Sequence, residues 1–235
     1  MKKLDKIVLF IVFTLLIGII ILMTIMFVQK GRIFVGRIVV KENVIEEKKV
    51  MSENILFLGD SITQGYDLDK YFSDHYHVQS GINGNKVRDV LDDMDNRVYR
   101  YNASKVFIML GINDFVWEDT SSEEVVKQIK ELCEKIENRN PYTEIYVESI
   151  FPYSNKWKDE YDGNARDEES VNNRIKETNK ELKKLASEKD YKYIDIYSLL
   201  VNEDGKYNMD YTNDGLHPNE EGYKIVTKEL TKYMK

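Results

Sequence analysis

The sequence predicts an α/β fold, a parallel sheet covered by helices, on two observations. Short apolar runs rich in β-branched and aromatic residues, at 55–58, 76–79, 105–110, 144–150 and 191–197, alternate with stretches of helical period, the order that builds such a five-stranded sheet. The clusters that carry chemistry each follow one of these runs: Gly59-Asp60-Ser61 the first, residues 81–84 the second, 111–114 the third, the aromatic segment from Phe151 the fourth, and 214–217 the last. Open parallel sheets bind ligands outside the carboxyl ends of their strands, so one site is expected there.

Residues 1–6 are a short basic tail with Lys2, Lys3 and Lys6. Residues 7–28 hold no charge, and only Thr14, Gly18 and Thr24 break an apolar run long enough to span a bilayer as a helix. A cleaved secretory signal would have a shorter apolar core and a small-x-small site, which Met26-Phe27-Val28-Gln29-Lys30 lacks, so a retained transmembrane signal anchor in the lipid bilayer is expected. Basic residues flank both ends, with Lys30, Arg32, Arg37 and Lys41 after the span, and flanking charge alone does not fix the side. A short basic tail, one span and a large domain is the arrangement of a tethered exported enzyme, which gives a single-pass cell-membrane protein with its domain extracellular. Residues 29–50, with Gly31, Gly36 and a charged stretch at 41–49, read as a stalk whose 32–40 part has strand character, and residues 51–235 as one domain.

Within that domain the helices carry their own signals. Ser121-x-x-Glu124 reads as a capping box, followed by a stripe of Val125, Val126, Ile129, Leu132, Cys133 and Ile136 that makes Cys133 a core residue. Val171, Ile175, Thr178, Leu182 and Leu185 give a second amphipathic helix, and Pro218 is expected to open the last helix at its first turn. A single cysteine excludes a disulfide framework and multi-cysteine metal sites. Residues 42–235 hold 27 basic and 40 acidic residues, a net −13 that argues against nucleic acid partners.

A serine hydroxyl is a weak nucleophile at neutral pH; it needs an imidazole to take its proton and a carboxylate to fix that imidazole's tautomer. The chain has three histidines. His75 and His77 sit in an alternating run typical of a strand edge, which leaves His217 as the base, with Asp214 three residues before it and Ser61 on the turn after the first strand. Residues 81–84 are too short for a phosphate-binding loop and lack its lysine, so no metal or organic cofactor is called for.

These blocks resemble those of the SGNH hydrolases, also called the GDSL esterase/lipase family. Gly59-Asp60-Ser61 resembles the nucleophile block, Gly84 in Ser80-Gly81-Ile82-Asn83-Gly84 the glycine block, Gly111-Ile112-Asn113-Asp114 the Gly-x-Asn-Asp block, and Asp214-Gly215-Leu216-His217 the Asp-x-x-His block, all in the family's order. The resemblance implies a three-layer, flavodoxin-like α/β/α fold and a membrane-anchored member of the family. It also implies an oxyanion hole made by the Ser61 N–H, the Gly84 N–H and the Asn113 amide, beside a catalytic set of Ser61, Asp214 and His217. Asp60 and Asp114 are expected to brace the nucleophile turn and the Asn113 loop.

The activity so implied is a serine esterase working through an acyl-serine intermediate on short acyl esters, acetyl for example, of a cell-envelope or other carbohydrate. The alternatives are a glycan O-acetyltransferase using the same three residues and an inactive membrane-anchored binding protein. Residues 151–169 are long for their place, and Tyr153, Trp157 and Tyr161 give them the composition of a lid, of a sugar-stacking platform, or of a solvated loop with chance aromatics. Trp117 is equally suited to lining the same pocket and to packing.

Overall fold

The computed structural model describes residues 52–234, so the basic tail, the span at 7–28 and the stalk at 29–50 lie outside the described residues. Among the described residues no helix is long and apolar enough to cross a membrane. Strands β1 (Ser52–Gly59), β2 (His77–Gly81), β3 (Ala103–Met109), β4 (Glu144–Glu148) and β5 (Lys192–Ile194) form one sheet in the order β2-β1-β3-β4-β5, every neighbour parallel. This is the flavodoxin-like order.

Helices α1 (Ser61–Gln64) and α2 (Leu68–Tyr71) join β1 to β2, α3 (Val87–Asp92) and α4 (Met94–Arg97) join β2 to β3, and α5 (Ile112–Val116) and α6 (Ser122–Arg139) join β3 to β4. Helices α7 (Asn155–Glu160) and α8 (Glu168–Lys189) join β4 to β5, and α9 (Tyr197–Leu200) and α10 (Glu220–Leu230) close the chain with a 3-10 turn at Thr231–Tyr233. Right-handed crossovers put the β1-to-β2 connection on one face and the other three, which step across the sheet in the opposite direction, on the second. Accordingly α3 packs on α6 and α6 on α8.

Alternate side chains of the central strands sort the two faces. Phe57, Phe107 and Tyr146 lie in register across β1, β3 and β4 and stack with ring centroids 5.3 and 4.5 Å apart. Phe72 extends this ladder 5.2 Å from Phe57, and Tyr233 meets Tyr146 edge-on. Leu56, Leu58, Val106, Ile108, Ile145 and Val147 are buried on the opposite face. Because both faces are covered, the strands read as nearly continuous apolar runs, and each fully buried side chain contributes roughly 1.5–3 kcal/mol.

The elements follow their sequence signals with three corrections, two in helices and one in strands. Ser121 caps α6 by accepting from the Glu124 N–H at 3.2 Å, but the Glu124 carboxylate does not reach back to complete a capping box; it accepts from Gln128 Nε2 and Lys127 Nζ instead. Pro218 does not open α10. Asn219 is the cap, its side chain accepting from the Gly222 N–H at 3.0 Å, a role at which asparagine excels, and this leaves the proline one residue outside.

The third correction concerns strand ends: β4 and β5 stop at Glu148 and Ile194, short of the expected 150 and 197. Side chains take over the backbone groups there. Ser149 Oγ accepts from the N–H groups of Ile196 and Tyr197, and Asn179 of α8 both accepts from the Ile150 N–H (2.7 Å) and donates to its carbonyl (2.9 Å). One heptad earlier on α8, Asn172 holds Tyr153 in the same two-handed way at 3.0 and 2.7 Å.

Candidate active site

The first cluster forms where β1 turns into α1. Asp60 is the cap of that helix, its Oδ1 accepting from the Ile62 N–H at 2.9 Å, and Ser61 is the first helical residue, whose N–H therefore has no intrahelical acceptor. Helix α10 supports the turn from outside: Tyr223 Oη donates to the Ile62 carbonyl at 2.7 Å, and its ring stacks on Tyr66 at 4.8 Å.

The loop before α10 brings the other two residues. His217 Nε2 lies 2.9 Å from Ser61 Oγ, and His217 Nδ1 lies 2.8 Å from Asp214 Oδ2. Asp214 uses both oxygens, since its Oδ1 accepts from the N–H groups of Leu216 and His217, each at 2.8 Å. An ionised carboxylate at Nδ1 assigns the proton to that nitrogen and leaves the Nε2 lone pair facing the serine. Burial pushes the Asp214 carboxyl up, but the His217 ring and the two backbone donors outweigh it and hold the group below the usual carboxylate range. Thr212, not anticipated from sequence, closes the turn by donating to the His217 carbonyl at 2.7 Å while accepting from the Gly215 N–H at 2.9 Å. Gly215 has φ +84°, where a side chain would also press on Ser154 and Lys156.

Gly84 sits at φ +75° in a turn closed by the Asn85 N–H and the Ile82 carbonyl, the third position of which favours glycine. Its N–H has no acceptor among the described residues, and the space where a Cβ would stand is open. The turn is held on three sides. Gln64 Oε1 accepts from the Asn83 N–H at 2.7 Å, Asn113 Nδ2 donates to the Asn85 carbonyl at 3.0 Å, and the Arg97 guanidinium donates to Asn85 Oδ1.

Arg97 is only 4% exposed. It also donates to the carbonyls of Gly59 (3.0 Å) and Ser80 (2.6 Å) and to Ser80 Oγ (3.0 Å), so one buried cation gathers the ends of β1 and β2 and the glycine turn. Nothing in the sequence marks it, because two of its four acceptors are backbone carbonyls and the other two are side chains distant along the chain. Trp117 Nε1 donates to Asn113 Oδ1 at 3.1 Å and so turns the amide's NH2 toward the glycine turn.

Asp60 braces the Ser61 turn as expected, whereas Asp114 reaches past the Asn113 loop to accept from the Val87 N–H of α3 at 3.3 Å. Burial pushes both carboxyls up to about 7, and a third, Glu148 at the end of β4, up to about 8. His75 and His77 lie at the opposite end of β2, where His77 Nε2 meets Asp69. Among the described residues no group of three or more His, Cys, Asp or Glu is arranged to hold a metal ion.

The segment after β4 is a fixed wall at its start. Phe151 and Tyr153 are buried, Asn172 grips Tyr153, and the Ser154 N–H donates to the Gly215 carbonyl at 2.8 Å. The Asn155 N–H donates to Glu168 Oε2, the Glu168 N–H returns to Asn155 Oδ1, and the Arg166 N–H reaches the Val116 carbonyl. Trp157 then meets the His217 ring edge-on at 5.1 Å and stacks on Tyr161 at 5.1 Å.

Known proteins are similar in both fold and sequence. A Streptococcus pneumoniae protein provisionally named a platelet activating factor superposes with a TM-score of 0.69 at 26% identity, over 83% of this chain and 92% of that one. A GDSL-like lipase of Bacteroides thetaiotaomicron shares the fold with a TM-score of 0.69 at 19% identity, over 82% and 96%. A variant of an acetyl-xylooligosaccharide esterase from a Geobacillus shares it with a TM-score of 0.60 at 20% identity, over 78% and 94%. An Escherichia coli N-acylneuraminate cytidylyltransferase is 26% identical over 184 residues, 77% of this chain; the match spans 40% of that protein's length. The model of the GDSL-like lipase/acylhydrolase family matches residues 57–225, which takes in the Ser61 turn, the Gly84 turn, the Asn113 loop and the Asp214 to His217 loop. The chain therefore belongs to the GDSL-like lipase/acylhydrolase family.

Proposed function

We propose that the protein is a serine esterase that removes short acyl groups from a carbohydrate through an acyl-Ser61 intermediate. The observation that carries this reading is the hydrogen-bonded chain from Ser61 Oγ through His217 to Asp214, 2.9 and 2.8 Å long. His217 Nε2 takes the Ser61 proton as Oγ attacks the ester carbonyl, and Asp214 stabilises the imidazolium that forms. The oxygen that becomes negative is met by the Ser61 and Gly84 N–H groups and Asn113 Nδ2. His217 then gives its proton to the departing alcohol, and a water activated by the same nitrogen releases the acid.

A carbohydrate ester is favoured by the polar and aromatic character of the wall beside His217 and by the acetyl-xylooligosaccharide esterase among the proteins that share the fold. The uncharged run at 7–28 supports a membrane-tethered protein, and a short basic tail before one span and a large domain favours that domain outside the cell.

The test is acetate release by the full-length protein from p-nitrophenyl acetate and acetylated oligosaccharides, beside Ser61→Ala. Turnover lost by a factor of about 10⁴ or more in the variant, together with loss of labelling by a serine-directed fluorophosphonate, is the expected result. Wild-type rates in Ser61→Ala refute the reading.

A further inference from the structure

Resting on the esterase reading and going beyond it, we infer that Trp157 and Tyr161 form a glycosyl subsite on the leaving-alcohol side of Ser61. His217 must hand its proton to the alcohol oxygen, so the alcohol half of the substrate lies against the imidazole, while the acyl oxygen points to the Gly84 and Asn113 loops. The ring packed against that imidazole is Trp157, at 5.1 Å and 75°. One helical turn on, Tyr161 stacks on Trp157 at 5.1 Å and 17°, and 58% of its surface is open to solvent.

Two near-parallel rings thus lead outward from the base, the inner one half-buried and the outer one exposed, on a segment pinned to the His217 loop through the Ser154 N–H and the Gly215 carbonyl. A pyranose presents a face of C–H groups that covers an aromatic ring while its hydroxyls stay free at the rim. Tyr161 lies one ring further from His217 than Trp157 does. The esterified sugar therefore meets Trp157, and its neighbour in the chain covers Tyr161, which makes the enzyme favour oligosaccharide esters over monosaccharide esters.

Rates on p-nitrophenyl acetate, on acetylated monosaccharides and on acetylated trisaccharides of xylose, glucose and N-acetylglucosamine, measured with full-length wild type, Tyr161→Ala and Tyr161→Trp, test this. In Tyr161→Ala the ratio of kcat/KM on the best trisaccharide to that on p-nitrophenyl acetate falls about 10-fold, through KM, and Tyr161→Trp restores it. In parallel, that trisaccharide quenches the tryptophan fluorescence of Ser61→Ala, and adding Tyr161→Ala abolishes the quenching. An unchanged ratio for all three trisaccharides, or quenching by none of them, overturns the subsite. Ester turnover that survives Ser61→Ala counts against the esterase reading alone, and the fluorescence titration still decides the subsite.

Discussion

At the residue scale the site depends on groups that orient other groups. Asn113 is fixed by Trp117 on one side and by the Asn85 carbonyl on the other, so the amide is held in one orientation. Asn113→Ala should lower kcat by about 100- to 1000-fold with the fold intact, measured as steady-state ester hydrolysis with circular dichroism as the control. Arg97 acts one step further back. Replacing it by Met strands the Gly59 and Ser80 carbonyls and frees Asn85, and we expect a loss of about 2–4 kcal/mol in urea unfolding and a fall in kcat of about 100-fold below the transition. Lys at position 97 should not rescue either value, because a point charge cannot serve four acceptors spread over a planar fork. That Ser61, Asp214 and His217 meet was legible in the sequence because nucleophilic chemistry admits few residue types. Arg97 and Thr212 were not, since a side chain that bonds backbone carbonyls and amides leaves no pattern in its own sequence neighbourhood, and neither was Asn85, whose partners Arg97 and Asn113 lie far along the chain.

At the element scale the sheet crowds acidic groups at its carboxyl edge. Asp60 follows β1, Asp114 lies in α5 after β3, and Glu148 ends β4, and burial holds each proton to near-neutral pH. A carboxyl whose folded pKa exceeds its unfolded value binds more protons in the native state, so stability falls as pH rises between the two values and levels off above the folded one. Glu148 places that window from roughly pH 4.5 up to about 8. The melting temperature should therefore decline from pH 6 to pH 8, and Glu148→Gln should flatten part of the decline in differential scanning calorimetry, Asp60 and Asp114 keeping the rest up to about 7. Asp214, held low, acts in the opposite sense, and its contribution disappears only in acid. The strands and the stripes of α6 and α8 were readable because burial on both faces writes itself into apolar runs. The ends of β4 and β5 were not, because Asn179 and Ser149 substitute for the missing strand neighbours, and an asparagine on an apolar stripe looks like an ordinary polar interruption.

At the scale of the whole molecule the candidate site is assembled from two unequal parts of the chain. Most of it comes from the sheet and its loops up to α9, while His217 and Asp214 arrive together on one short turn followed by α10, whose Tyr223, Val226 and Leu230 are buried against the rest. Between the two parts runs a narrow hairpin, bridged at Val201 and Tyr207, with Asn202, Glu203 and Asp204 exposed at its tip. A break after Asp204 would leave a long piece holding Ser61, Gly84 and Asn113 and a short piece holding Asp214 and His217. Neither piece alone could hydrolyse an ester. Mixed, they should regain turnover in a saturable way as α10 docks by Tyr223 onto the Ile62 carbonyl, and a titration of one piece into the other reads that recovery directly. If that recovery is seen, the chain is in engineering terms a split reporter, with the short piece that carries Asp214 and His217 serving as the key that switches the long one on.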